Sequence, residues 1–354
     1  IYPKNYDVLM PIRPFWDYSM SKEEVENNEE KYFKQYLNIL KSQPWKDKLS
    51  HFEHNLETWR QLWRVIEKSD VICIVVDARF PVMHFFPPLN EYINATKKKP
   101  LILILNKIDI IPAENVIGWK RYFIQRFPGL KVVIFSSFPK DQNHLISDAT
   151  KVMSKTRRKK GGFMAYGLKE FLETCACLFP DKNFEEWKRK IELETLEQFS
   201  DSDDLCTGGD KLKDFYSLNK KWEDDYEKKE FLTLGLVGFP NVGKSSFLNG
   251  IMGRKVASVS KTPGHTKYFQ TIFITNNVVL CDCPGVVFPS IIEKQWQILS
   301  GIFPLSQLRE PYTSIGYLAE RTDLVKILRL KHPSENEDSN EWSAWDICIG
   351  IWLY

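Results

Sequence analysis

The run Gly238-Phe239-Pro240-Asn241-Val242-Gly243-Lys244-Ser245, followed by Ser246, places two glycines, a lysine and a hydroxyl at the offsets of a phosphate-binding loop. The tetrapeptide Asn106-Lys107-Ile108-Asp109 stands well upstream of it rather than downstream. A fold that uses both must bring the early half of the chain against the late half.

The neighbours of each motif predict its place in a sheet. Phe231 to Val237 is an apolar run of strand length, and Ser246 to Met252 has helical spacing. The loop therefore sits at a strand-to-helix turn, where backbone N–H groups curl round an anion at a helix N-terminus. Lys244 is expected to reach the β- and γ-phosphates of a nucleotide, and the Ser245 hydroxyl to hold Mg²⁺. Leu101 to Leu105 is a buried-strand pattern, so Asn106, Lys107 and Asp109 fall at a strand's C-terminal end, the ligand edge of open α/β sheets. The Asp109 carboxylate can accept from both the ring N–H and the exocyclic amine of guanine, which adenine does not present in that arrangement. GTP and GDP are thus expected ligands.

Further pieces lie at sensible spacings. Lys131 to Phe135 reads as a strand ending in Ser136 and Ser137, whose backbone could meet the guanine oxygen. Asp282-Cys283-Pro284-Gly285 follows the strand Val278 to Cys281 and supplies an aspartate for the Mg²⁺ shell and a glycine N–H for the γ-phosphate. Within Thr262-Pro-Gly-His-Thr266, Thr266 is preferred to Thr262 as a hydroxyl that closes over the metal. The segments 71–76, 101–105, 132–135, 232–237, 269–275 and 278–281 make six expected strands, with a helix over 114–127 between two of them. A helix over 51–66 leads into the first, with Phe52, Leu56, Trp59, Trp63 and Ile66 on one face.

The order of these motifs, together with His51 to Arg64, Val259 to Thr271, Glu310-Pro-Tyr-Thr and the early Arg13-Pro-Phe-Trp, resembles the circularly permuted GTPases. The resemblance covers most of the chain and is weakest over about 200–229 and at the C-terminus. It implies a P-loop GTPase domain of α/β class, a six-stranded, mostly parallel sheet with its last three strands written first. It also implies a molecular switch, with relatives that serve ribosomal subunit assembly. After Trp345-Asp346-Ile347-Cys348 the ending Ile349 to Tyr354 departs from the family pattern and no methionine opens the chain, so a fragment or an altered gene end is expected.

Many GTPases carry a glutamine just after the glycine of the Asp-x-x-Gly motif to orient the attacking water. Val286 and Val287 stand there instead, which leaves the catalytic residue unknown and implies slow intrinsic hydrolysis stimulated by a partner or a monovalent cation. Asn241 is a candidate K⁺ ligand by analogy with related GTPases, or a residue that only shapes the turn. His265 is an alternative water-positioning group or an exposed loop histidine.

The organisation expected is an N-terminal arm over 1–50 with a helix from Lys22 to Leu40, the GTPase domain over 51–290, and a helical C-terminal subdomain over 291–354 with helices over 291–303 and 312–330. An insertion over 140–230 interrupts the domain; 167–179 and 184–199 have helical spacing, and 200–230 reads as disordered. Lys155-Thr-Arg-Arg-Lys-Lys160 is a linker face, an RNA or ribosome contact or a nuclear-import signal. A net charge of +3 does not by itself announce a nucleic-acid binder. The absence of any run of about eighteen apolar residues indicates no membrane insertion, and the setting expected is cytoplasmic or nuclear. Seven cysteines show no Cys-x-x-Cys pair and read as reduced thiols rather than a zinc set. Three function classes remain: a GTP-hydrolysing switch, a GTP-binding scaffold that hardly hydrolyses, and a phosphate-loop kinase or ATPase, the last disfavoured by Asn106 and Asp109.

Overall fold

A computed structural model of the chain describes residues 9–137, 165–197, 231–253, 256–257, 269–304, 307–333 and 342–352. Its centre is a six-stranded sheet built from β1 (Val71–Asp77), β2 (Leu101–Asn106), β3 (Lys131–Ile134), β4 (Leu232–Val237), β5 (Gln270–Phe273) and β6 (Val278–Asp282), in the spatial order β3-β2-β1-β4-β6-β5. All neighbours are parallel except β5 and β6. Every residue of β1, β2, β4 and β6 is buried, which is why these strands read as unbroken apolar runs rather than alternating ones. The expected P-loop fold with its strands in permuted order is what the chain adopts.

The seam between early and late halves is the β1–β4 pair, in register from Val71 opposite Leu234 to Ile74 opposite Val237. Asp70 extends it: its amide donates to the Thr233 carbonyl at 2.8 Å, and its carboxylate accepts from the Thr233 amide at 2.7 Å. A sheet joined this way depends on spatial neighbours and not on chain order. The two halves therefore share one core.

The helices fall mostly where periodicity places them. They are α1 (Lys22–Ser42), α2 (Leu56–Lys68), the short α3 (Pro81–His84) and α4 (Pro87–Glu91), α5 (Ala113–Arg126), α6 (Leu168–Leu178), α7 (Glu185–Glu197) and α8 (Lys244–Met252). The expected helix over 51–66 begins five residues late. Asn55 accepts from the Glu57 amide as its N-cap, and residues 51–55 run outside the helix to pair with the segment after Gly285. Phe52 is buried by that pairing and not by a helical face. Glu53 donates its amide to the Val287 carbonyl at 2.9 Å, and Ser50 to that of Ser290 at 2.8 Å.

The arm is fastened to α2. Ser21 and Glu24 form a reciprocal cap that starts α1, which buries Phe33, Tyr36, Leu40 and Glu29. Glu29 is 3% exposed and accepts from Arg13 Nε at 2.8 Å and from Arg60 Nε at 2.7 Å, so a buried carboxylate carries two cations. The Trp63 indole N–H donates to the Pro11 carbonyl at 2.9 Å.

Past Gly285 the expected long helices are shorter: α9 (Lys294–Leu299), α10 (Tyr312–Ala319), α11 (Leu324–Leu328) and α12 (Ala344–Trp352). Asp323 caps α11 by accepting from the Lys326 amide, which breaks the run 312–330 into two pieces. Residues 200–230, read as disordered, and Lys155 to Lys160 lie outside the described residues. Among the described residues no helix is long and apolar enough to cross a membrane.

Candidate functional site

β4 ends at Val237, and the chain turns through 238–243 before α8 begins at Lys244. Two backbone positions make the turn. Asn241 adopts φ 60°, a conformation asparagine tolerates, and Gly243 adopts φ 100° at the cap of α8. Phe239 and Val242 are buried and anchor the loop from below, whereas Pro240 is half-buried and Asn241 exposed. The ring of Phe239 meets Phe288 edge-on at 5.3 Å, and Phe288 stacks on Phe86 at 4.4 Å.

The Lys244 ammonium is buried and donates to the carbonyls of Gly238 at 3.1 Å and Phe239 at 2.7 Å. Burial lowers its pKa from the usual lysine value, and the nearby Asp282 carboxylate opposes that shift. An ammonium has three donors, so one remains for an anion resting on the loop. Ser245 donates its hydroxyl to Asp282 Oδ2 at 2.9 Å. Asp282 Oδ1 is buried with no hydrogen-bond partner, and burial pushes the carboxyl upward against the pull of Lys244 and Ser245. A lone buried carboxylate oxygen beside a hydroxyl fits Mg²⁺, which takes one or two protein oxygens and otherwise water and phosphate. Among the described residues no group of three or more His, Cys, Asp or Glu could hold a metal, so a closed protein cage is not the alternative there. Cys281 and Cys283 flank Asp282 as buried thiols, both with their pKa raised by burial.

Gly285 approaches the loop closely: a Cβ there would lie 2.7 Å from the Pro240 backbone. Val286 is fully buried and donates its amide to the Gly238 carbonyl at 3.2 Å. The position of the usual glutamine is thus part of the core, with no path for its side chain toward water.

At the end of β2 the base-reading tetrapeptide folds back on the phosphate loop. Asn106 is 1% exposed and donates from Nδ2 to the Val242 carbonyl at 3.0 Å; its Oδ1 is buried without a partner. Lys107, at φ 64°, donates to the Asn241 carbonyl at 2.6 Å. Asp109 accepts from the Ser136 hydroxyl at 2.6 Å. Asn106, Lys107, Asp109 and Ser136 are therefore gathered with the loop 241–243, and Ser137 is buried beside them with an unpartnered hydroxyl.

One expectation needs correction. The Ser136 amide is bonded to the Tyr166 carbonyl at 3.1 Å, and the Tyr166 amide returns to the Ser136 carbonyl at 2.9 Å. Ser136 thus presents its hydroxyl to Asp109 while its backbone amide and carbonyl are engaged by Tyr166. Thr262, His265 and Thr266 lie outside the described residues. Ser246 is half-buried in the first turn of α8.

Sequence reading missed Asp77 and Arg79. Asp77 closes β1, is 2% exposed, and accepts from Lys107 Nζ at 2.8 Å and from Arg79 Nε and Nη2 at 3.0 and 2.8 Å. Burial alone would raise its carboxyl, but the hydrogen bonds from Arg79 and Lys107 outweigh burial and hold it at about 2. The available signal was a carboxylate ending a strand of six apolar residues at the ligand edge of the sheet.

Residues 233–324 match the family described as 50S ribosome-binding GTPase. The chain is 43% identical over 350 residues to guanine nucleotide-binding protein-like 1 of Mus musculus and 44% over 351 residues to that of Homo sapiens; each alignment spans 96% of this chain and 58% of the relative. It is 32% identical over 327 residues to GTPase LSG1-2 of Arabidopsis thaliana, spanning 88% of this chain and 50% of that one. The chain thus spans little more than half the length of these relatives. Among solved structures, GNP-bound YlqF from T. maritima aligns over 77% of this chain and 76% of its own, at 15% identity and a TM-score of 0.38.

Proposed function

This chain belongs to the circularly permuted GTPases, with guanine nucleotide-binding protein-like 1 among its relatives, and from that premise we propose that it binds GTP and GDP with Mg²⁺ and acts as a slowly hydrolysing switch. One observation carries the reading: Asn106 and Lys107, from the early half, donate directly to the backbone of loop residues 241–243, from the late half. A single nucleotide can then lie with its purine against Asp109 and its phosphates on the amides of the loop. Asn106, Lys107, Asp109, Ser136 and Ser137 serve the base. Gly238 to Ser246 and Gly285 serve the phosphates, and Ser245, Asp282 and Thr266 the metal.

The test is nucleotide selectivity. Fluorescent GDP should bind at least about a hundredfold more tightly than the ADP analogue, since a site built to satisfy guanine leaves polar groups unpaired with adenine. Asp109→Asn should exchange guanine for xanthine preference. Unchanged guanine selectivity in that variant would refute the base assignment.

Slow hydrolysis is supported by Val286, a buried valine with no hydrogen-bonding group to orient water. The same burial favours the second reading, a GTP-binding scaffold, and phosphate release under single turnover separates the two. Asn241 is proposed as a K⁺ ligand, although its left-handed backbone gives it a second reason to be asparagine. Equal hydrolysis in K⁺ and Na⁺ at one ionic strength would leave only the turn. The partner proposed is a ribosomal subunit or other RNA-containing particle in the cytoplasm or nucleus; the support is the family description and the Lys155–Lys160 run.

A further inference from the structure

The Lys107 ammonium sits between two oxygens: the Asn241 carbonyl of the phosphate loop at 2.6 Å and Asp77 Oδ2 at 2.8 Å. The first bond crosses from the base-reading element to the phosphate loop. The second decides whether the first persists. A lysine on a flexible four-carbon stem, 26% exposed, would exchange a single carbonyl for water readily, since a lone exposed donor gains little over solvation. Asp77 is different in kind, since it is 2% exposed and fixed at the end of a strand paired on both sides. Its Oδ1 also accepts from the Arg79 amide at 3.0 Å, so the carboxylate plane is set by its own backbone turn. Arg79 closes the other side of the carboxylate with two further bonds.

We propose that Asp77 is a positioning residue for nucleotide binding: it holds the Lys107 ammonium on the Asn241 carbonyl and so couples base recognition to the shape of the phosphate loop. The proposal deepens the guanine-nucleotide reading and rests on it. Asp77 acts through Lys107 and needs no contact with the nucleotide. Its strand lies between the two that carry the motifs, β2 and β4, so a charge there reaches both without belonging to either. Arg79 completes the device by balancing the second lone pair of a buried carboxylate, which would otherwise pull Lys107 away from the carbonyl.

The experiment is a double-mutant cycle read by fluorescent GDP binding to the full chain. Asp77→Asn keeps the side-chain shape and the acceptor for the Arg79 amide but removes the charge that holds Lys107. It should weaken GDP binding about tenfold in the wild-type background and less than about twofold in a Lys107→Met background, because residues acting through one contact are non-additive. A merely structural role of Asp77 would give the same loss in both backgrounds, and that additivity would overturn the proposal. Melting of the nucleotide-free variants identifies misfolding; if Asp77→Asn does not fold, Asp77→Glu, which keeps the charge but moves it by one methylene, should show a smaller loss with the same dependence on Lys107. Its additivity would overturn the proposal equally. Wild-type chain that fails to bind GDP at all would instead refute the parent reading, and tight wild-type binding with an additive cycle would refute this inference alone.

Discussion

Gly243→Ala tests the join between the two halves of the site most directly. Gly243 adopts φ 100° and ψ 30°, where an L side chain is strained by about 1–2 kcal/mol. The added Cβ would lie 2.4 Å from Asn106 Nδ2, the atom that donates to the Val242 carbonyl at 3.0 Å. The overlap forces the amide off its acceptor. Leaving buried polar partners unpaired costs about 1–3 kcal/mol, so the variant should lose about 2–5 kcal/mol in all. At roughly 2–4 °C per kcal/mol for a domain of this size, the melting temperature should fall by about 4–20 °C.

The assay is thermal unfolding followed by circular dichroism, with Asn106→Ala and the double variant alongside. Asn106→Ala removes the bond and also the atom that the new Cβ would strike. The double variant should therefore lose about 1–3 kcal/mol less than the sum of the singles. A Gly243→Ala chain melting within about 2 °C of wild type, or a strictly additive cycle, would show that Asn106 does not bear on the loop.

Other expectations concern the periphery of the site. Glu29→Gln leaves the guanidinium groups of Arg13 and Arg60, 10% and 14% exposed, without a buried counter-charge. Stability should fall by about 3 kcal/mol, and limited proteolysis within residues 9–50 should accelerate; unaltered cleavage would mean that the pair does not fasten the arm. His84 is buried against Phe239, and burial holds its imidazole at about 4, below the usual 6.5, with Lys107 adding to the effect and Asp77 and the carbonyls of Ser300 and Asp77 opposing it. A depressed folded pKa means that the unfolded chain takes up the proton first as pH falls. Stability is therefore full above about pH 6.5 and declines by about 3 kcal/mol toward pH 4, and urea unfolding of His84→Gln should be flatter across that window. An identical slope in the variant would clear His84 of the effect.

What sequence made legible is what lies in contiguous residues. The phosphate loop, the base tetrapeptide and the six strands are local patterns, and β1, β2, β4 and β6 read most clearly because burial on both faces leaves them largely apolar. Helix ends were less legible. Leu56 continues the apolar spacing begun at Phe52, and only the capping bond of Asn55 shows that the helix starts there. The pairs that hold the site together were not legible at all. Asp77 with Lys107, Glu29 with Arg13 and Arg60, and Ser136 with Tyr166 join residues tens of positions apart, so no spacing rule connects them. Val286, read as standing in place of the usual glutamine, is also buried, which no local pattern signals.

Chain order still matters for which parts of the site are joined. The segment leaving Gly285 is buried at Val286, Val287 and Phe288, and Phe288 packs on both Phe239 of the phosphate loop and Trp59 of α2. It then pairs with residues 50–53. Gln297 accepts from the His51 amide at 3.2 Å and donates to the His51 carbonyl at 3.1 Å. Gly285 lies against the Pro240 backbone, which a Cβ there would meet at 2.7 Å, and Phe288 further on stacks on Phe86. The segment after Gly285 is thus tied covalently to α9 and by hydrogen bonds to the residues before α2. The β1–β4 ladder joins the half that carries Asn106 and Asp109 to the strand that leads into the loop. Lys107 reaches the Asn241 carbonyl across that seam, so the geometry ties the two ends of the site together rather than separating them.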